Sequence, residues 1–326
     1  MNDFTILVAP DALATSVSVT LDLLSTAATM APRVGAVTPR WKVVSLSEGM
    51  TPLSNGMYID AKPLPRRAKA DQSIWVVPGL ATRTPRAVDS RLIQPDAQRA
   101  IHALKVHARA GGTIAASCSG VFLLQAAELL KKRKVTTTWW LASHLQNLEP
   151  ECIVDANRLV ISDGKIWTAG AAFAQTDLML RLIQDRFGNA LAEAVSRVMV
   201  VDGREAQAPY VVPAMLANGN ELISTLSLQI EKSLPAAASV KDMAEKLCIS
   251  EKTLGRRIKA ATGKSTSELI QLVRLKSARR LLETTNMPVD VIAEKVGYSD
   301  ATALRRLMRK TFNTTPRQFR TNRGNM

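Results

Sequence analysis

The chain has 326 residues, 43 of them Lys or Arg and 28 Asp or Glu, a net charge of +15. Three cysteines in a chain of this length exclude a disulfide-stapled secreted domain and fit a reducing compartment. The longest largely apolar stretch, Thr113–Leu130, is interrupted by Ser117, Ser119, Gln125 and Glu128, which excludes a membrane span. The start, Met1-Asn-Asp-Phe-Thr-Ile-Leu-Val, carries an acidic residue and a strand-like run where a signal segment has a basic region. The expected location is the cytoplasm.

In chain order, Phe4–Val8 reads as a buried strand and the stretch around Thr20–Met30 as a helix. Ile74–Val77 is a second strand, stopped by Pro78-Gly79. Pro95–Ala110 is an amphipathic helix ended by Gly111-Gly112; Thr113–Ser117 is a strand and Val121–Leu130 the helix after it. Strands alternating with helices predict an α/β layered sheet, parallel at its centre, and about 210 residues suffice for one such domain with a full core. Between that last strand and helix lies Ser117-Cys118-Ser119-Gly120. A cysteine on such a turn sits at a helix N-terminus, where the dipole favours thiolate. A small buried cysteine in a close-packed turn is the competing reading, and spacing alone favours it. Pro209, Pro213 and Gly219 punctuate a linker, giving expected domains of 1–210 and 220–326 with a connection at 211–219.

The C-terminal third contains one unit written twice. Val240-Lys-Asp-Met-Ala-Glu-Lys-Leu-Cys-Ile-Ser-Glu251 pairs with Val289-Asp-Val-Ile-Ala-Glu-Lys-Val-Gly-Tyr-Ser-Asp300. In each copy an apolar face at helical spacing (Met243, Ala244, Leu247; Ile292, Ala293, Val296) precedes a turn and a second helix. Gly297 suits the turn of the second copy, and Cys248 replaces it in the first. Ser250 and Ser299 are the expected N-caps of the second helices, and Gly263 and Asn313 their terminators. Leu254 with Ile258, and Leu304 with Met308, should face inward. Residues 220–326 hold 20 Lys+Arg against 10 Asp+Glu, two thirds of the total excess in a third of the chain. A plain helical bundle would share the apolar pattern; the basic face points to double-stranded DNA. The residues expected at DNA are Lys252, Thr253, Arg256 and Lys259 in the first unit (about 240–263). Thr302, Arg305, Arg306 and Arg309 are their counterparts in the second (about 289–313). Those near the start of each helix would reach base edges and later ones phosphates. Gly255, exposed mid-helix, reads as a place where DNA nears the backbone.

Residues 220–320 resemble the AraC/XylS DNA-binding domain, through Ser250-Glu-Lys-Thr-Leu-Gly-Arg-Arg257, Arg274-Leu-Lys-Ser-Ala-Arg-Arg-Leu-Leu282, Val291-Ile-Ala-Glu-Lys-Val-Gly-Tyr298 and Phe312-Asn-Thr-Thr-Pro-Arg-Gln-Phe-Arg320. Residues 4–210 resemble the ThiJ/PfpI, class I glutamine-amidotransferase-like fold found fused to AraC-type domains in regulators of the GlxA type. That resemblance rests on Trp75-Val-Val-Pro-Gly79, Ala116-Ser-Cys-Ser-Gly-Val-Phe-Leu-Leu124, Val135-Thr-Thr-Thr-Trp-Trp140, Asp163-Gly-Lys-Ile-Trp-Thr-Ala-Gly170, Thr176-Asp-Leu178 and Val200-Val-Asp-Gly-Arg204. It implies a flavodoxin-like parallel-sheet α/β sandwich followed by an all-α domain with two helix-turn-helix motifs, and puts Cys118 at the family's elbow.

The chain departs from the pattern at Trp139, where the family has histidine, at Asp22, where it has glutamate, and at Leu80, where it has glycine. A thiol without a base cannot pass on its proton, so no residue is expected to be catalytic. The three histidines and three cysteines lack ligand spacing, and neither metal nor cofactor is expected. The expectation is a pseudo-enzyme domain whose pocket, near Asp22, Gly79, Cys118 and Trp139, takes a small effector or supports a homodimer. Trp139 either lines that pocket or belongs to the core. By resemblance the effector is a metabolite of amino-acid or amine catabolism, and RNA polymerase is a further partner. The alternatives are a Cys118-dependent amidase or hydratase-like enzyme with an appended DNA-binding domain, and a redox sensor using the same thiol.

Overall fold

The computed structural model describes residues 2–65, 70–201, 221–236, 239–312 and 315–321. The chain divides into two compact units, Met1–Glu205 and Ala206–Met326. The expected linker, 211–219, lies outside the described residues.

The first unit is built on β1 (Phe4–Val8), α1 (Ala14–Met30), β2 (Trp41–Ser45), β3 (Thr51–Pro52), β4 (Tyr58–Ile59), β5 (Lys62–Pro63) and β6 (Ile74–Val77). Then come α2 (Pro85–Leu92), α3 (Pro95–Arg109), β7 (Ile114–Ser117), α4 (Val121–Ala126), β8 (Lys134–Val135), α5 (Ala142–Leu148), β9 (Ile153–Val154), β10 (Val160–Asp163), β11 (Ile166–Ala169), α6 (Ala174–Phe187) and α7 (Asn189–Val198). Seven strands form one sheet in the order β10-β11-β7-β6-β1-β2-β5. All pair in parallel except the β10–β11 hairpin at one edge.

Strands covered on both faces read as unbroken apolar runs, and β1, β6 and β7 are buried at every position. Alternation still sorts their side chains. Leu7, Trp75 and Val77 join α3 and α4 in one core layer, while Phe4, Ile6, Val8 and Val76 join α1, α6 and α7 in the other. Helix α1 begins at Ala14, earlier than the expected Thr20, because Ser54 and Gly79 supply its start. Ser54 Oγ accepts from Ala14 N at 3.4 Å, and Gly79 O accepts from Leu13 N at 2.7 Å. Helix α4 stops at Ala126 rather than Leu130, since Glu128 takes a left-handed φ of 58°.

The second unit comprises α8 (Glu221–Lys232), α9 (Val240–Lys246), α10 (Glu251–Thr262), α11 (Thr266–Thr284), α12 (Val289–Lys295), α13 (Ala301–Phe312) and α14 (Pro316–Thr321). Capping boxes start α9 and α11, pairing Ser239 with Asp242 and Ser265 with Glu268. The long α11 joins α9–α10 to α12–α13 and packs against α8, α10, α12, α13 and α14. Met243, Ala244, Leu254 and Ile258 are buried in the first pair, as are Ile292, Ala293, Leu304 and Met308 in the second. Among the described residues no helix is long and apolar enough to cross a membrane.

Candidate DNA interface and elbow site

In each helix pair the turn forces one residue into left-handed backbone: Cys248 at φ 52° and Gly297 at φ 86°. Ser250 caps α10, its Oγ accepting from Thr253 N at 3.2 Å. The expected cap Ser299 is replaced by Asp300, whose Oδ1 accepts from Ala303 N at 2.8 Å. A carboxylate at the positive helix end is the stronger acceptor, and that bond holds the Asp300 carboxyl below its ordinary pKa. Gly263 ends α10 at φ 70°; Asn313 lies outside the described residues.

With Leu254, Ile258, Leu304 and Met308 turned inward, the outer face of α10 exposes Lys252, Arg256, Arg257 and Lys259. Helix α13 exposes Thr302, Arg305, Arg306, Arg309 and Lys310. Two of the expected contacts are already engaged within the chain. Lys259 Nζ donates to Gly263 O at 2.7 Å, neutralising the end of its own helix. Thr253 is half-buried, its Oγ1 3.0 Å from Ser250 Oγ in the cap. A Cβ at Gly255 would come no nearer than 3.8 Å to Thr266 Oγ1, so no neighbour within the chain demands glycine there.

The elbow of the first unit is close-packed. Cys118 has φ 53° and is 2% exposed. Its N–H donates to Gly170 O at 2.8 Å, and its carbonyl accepts from Thr137 Oγ1 at 2.7 Å. A Cβ at Gly79 would sit 2.9 Å from Cys118 Cβ, and one at Gly120 would sit 2.6 Å from Pro78 O, so both glycines are required by contact. Ser119 Oγ donates to Leu80 O at 2.6 Å and ties the two loops together. The roles of Ser119, Gly120 and Thr137 were not foreseen; the run of small residues around Cys118 was their only signal.

Burial pushes the Cys118 thiol up from its ordinary pKa, and hydrogen bonds from Ser119 and Thr138 pull the other way without prevailing. Of the two readings weighed from the sequence, this fits the small buried cysteine in a close-packed turn: the desolvation penalty exceeds the benefit of the helix end. The histidines lie elsewhere. His102 is exposed on α3, and His144 Nε2 sits 2.9 Å from Asp89 Oδ1, its ring stacked on Phe122. His107 is fully buried and stacked on Trp75 at 4.5 Å between ring centroids, where burial lowers its pKa. The structure brings Gly79 to Cys118 but leaves Asp22 exposed on α1, two turns past its start. A helix presents only every third or fourth residue to one side, and the inner face of α1 is taken by Ser16, Val17, Thr20, Leu23 and Leu24. Trp139 is 6% exposed and meets Trp140 edge-on at 5.0 Å, placing it in the packed interior.

A family model described as the DJ-1/PfpI family matches residues 9–185, more than half of the chain. The chain belongs to the DJ-1/PfpI family. A second model, described as a helix-turn-helix domain, matches residues 243–322, so this family member carries an AraC-type region after its α/β domain. Similar full-length proteins include the HTH-type transcriptional regulators ArgR and CdhR of Pseudomonas aeruginosa. ArgR is 27% identical over 78% of this chain and 80% of its own length; CdhR is 27% identical over 86% and 81%. The HTH-type transcriptional regulator GlxA of Rhizobium meliloti is 28% identical over 66% of this chain and 67% of its own. A crystal structure of an AraC family transcriptional regulator from Pseudomonas putida covers 61% of this chain and 100% of that one. It superposes with a TM-score of 0.52 at 20% identity, a likeness of fold.

Proposed function

We propose that this DJ-1/PfpI-family chain is a sequence-specific DNA-binding transcriptional regulator controlling catabolic or metabolic genes. The observation that carries the reading is the pair of helix-turn-helix units, each exposing a basic second helix, behind an α/β domain of the kind borne by relatives named as HTH-type transcriptional regulators. In this reading α10 and α13 enter successive major grooves. Lys252, Arg256, Thr302, Arg305 and Arg306 read base edges, and Arg309 meets phosphate; Thr253 stays bonded to the cap Ser250, and Lys259 to the C-terminal end of α10. The α/β domain takes a small amino-acid- or amine-derived effector, or holds a homodimer together, and the effector alters promoter occupancy or contact with RNA polymerase. Such coupling requires the effector to bind DNA-bound and free protein with different affinity.

The same reading makes the α/β domain non-catalytic, since among the described residues the groups bonded around Cys118 are hydroxyls and backbone, with no imidazole or carboxylate among them. Footprinting on promoter DNA upstream of candidate target genes tests the proposal. Wild type should protect two adjacent segments about one helical turn apart, Arg306→Ala should lose one of them, and Cys118→Ala should regulate normally. An unchanged footprint for Arg306→Ala argues against use of the second unit, and lost regulation in Cys118→Ala favours the enzyme.

A further inference from the structure

A groove of about 440 Å³ in the second unit is lined from both helix-turn-helix units, but by neither α10 nor α13. Val240 borders it at the start of α9, Ser267, Ile270, Gln271 and Arg274 border it from α11, and Tyr298 from the turn between α12 and α13. Among the described residues Arg274 is its one cation, and no Asp or Glu lines it. The other arginines of α11, Arg279 and Arg280, pair with Glu283 and Glu231. Arg274 has no such partner among the described residues; its guanidinium carbon stands 5.7 Å from the centre of the Tyr298 ring. Arg274 Nε and the Tyr298 hydroxyl are both buried with no hydrogen-bond partner. Burial pushes the Tyr298 hydroxyl up to about 12 against the pull of Arg274, so it remains a proton donor at neutral pH. Donors buried without an acceptor carry a desolvation cost that an arriving anion would offset.

We propose that this groove binds a small organic carboxylate, held by Arg274 and the Tyr298 hydroxyl, and that the ligand couples the first helix-turn-helix unit to the second. The planar guanidinium fork matches a carboxylate, and the phenol adds a further donor to the same charge. Val240 and Ile270 offer an apolar wall to the ligand's carbon skeleton, and a volume of several hundred Å³ suits a small molecule. A duplex phosphate strand, by contrast, arrives as a row of charges and is met by several cations; this groove has one. A ligand seated here meets the start of α9 and the turn that leads into α13, and so favours one placement of the two units. Coupling follows if the DNA-bound and free states hold that ligand with different affinity. The site lies apart from the α/β domain, and only the coupling rests on the DNA-binding reading.

The test is calorimetric titration of the full chain with butyrate and benzoate, and with butyramide and benzamide as their uncharged counterparts. Variants are Tyr298→Phe, which keeps the ring, Arg274→Lys, which keeps the charge but loses the fork, and Ser267→Phe, which fills the groove from an exposed position. Melting temperatures verify that each folds. A carboxylate should bind and its amide should bind about tenfold more weakly; Tyr298→Phe should lose several-fold, Arg274→Lys about tenfold, and Ser267→Phe nearly all binding. Absence of saturable binding by both carboxylates overturns the proposal. So does binding that all three variants leave unchanged, which places the carboxylate elsewhere in the chain. Fluorescence anisotropy on a duplex carrying the footprinted site then reads the coupling. Saturating carboxylate should change DNA affinity several-fold in wild type and leave Ser267→Phe unmoved; equal affinity with and without it in wild type overturns the coupling. Variants that weaken binding to a random duplex and flatten its salt dependence, with no carboxylate bound, would mark a DNA phosphate as the occupant and sink the proposal. If wild type binds no duplex, the DNA-binding reading fails while the calorimetry still decides the site.

Discussion

Cys248 and Gly297 occupy equivalent turns, yet they answer to different constraints. Both take left-handed backbone, at φ 52° and 86°, a conformation that costs a non-glycine residue about 1 kcal/mol or more. Gly297 is also hemmed in, because a Cβ there would run into Pro235 O and stand 3.2 Å from the Arg274 guanidinium. Cys248 is exposed. Cys248→Gly should therefore raise stability by roughly 1 kcal/mol, discounted for the greater freedom of glycine in the unfolded chain. Gly297→Ala should lower it by roughly 2 kcal/mol or more, through strain and overpacking together. Urea denaturation of both variants decides the matter; equal and opposite changes at the two sites would contradict the assignment of contact at Gly297. The repeat announces the turn in the sequence, but only the packed structure reveals that one copy needs glycine twice over.

Elements are joined in the first unit by a polar cluster at the sheet ends opposite the elbow. Asp71 precedes β6 and accepts from Lys42 Nζ on β2 at 2.7 Å, from Ser73 N at 3.1 Å and from Trp75 Nε1 at 3.1 Å. Burial works to raise its pKa, but the bonds from Lys42, Ser73 and Trp75 together outweigh it and hold the carboxyl down to about 2. A depressed folded-state pKa contributes stability that is fully present above the unfolded value near 4 and is lost as pH falls toward 2. After solvent screening the contribution is about 1 kcal/mol. Asp71→Asn should thus lower the melting temperature at pH 7 and converge with wild type near pH 2. A constant difference across that window would show that the carboxylate's charge is not what matters. The strand-to-strand link was not legible in the sequence. Trp41–Ser45 mixes exposed and buried positions and gave no strand signal, and Asp71 lies 29 residues from Lys42 along the chain.

For the whole molecule, the expected behaviour is regulation of DNA binding by an effector. Thermal unfolding of the full chain against amino acids, amines and betaines should show an upward shift for one compound class, following the ligand's preference for the folded state. That compound should also change the affinity for promoter DNA. If no compound class shifts unfolding, effector sensing gives way to dimerisation as the role of the α/β domain. The residues expected to line an effector pocket divide in their placement. Gly79 and Cys118 lie in contact, because strand-end motifs fix where loops converge in a parallel sheet. Asp22 is exposed on α1, and a resemblance aligned along the chain says nothing about which side of α1 a residue faces.

What the sequence determined by itself is whatever repeats or runs locally. Apolar runs without alternation placed β1 and β6 in a sheet covered on both faces, and the duplicated turn pattern, with its excess of cations, marked two helix-turn-helix units. Such signals persist because backbone hydrogen bonding and helical periodicity act over a few residues. Tertiary structure alone decided how chemically similar groups differ in role. Lys259 closes its own helix while Lys310 lines a groove; Asp300, not Ser299, caps α13; and His107 is buried against Trp75 while His102 is exposed. Burial and partner distance set those outcomes, and both depend on residues remote in the chain that come together only when it packs.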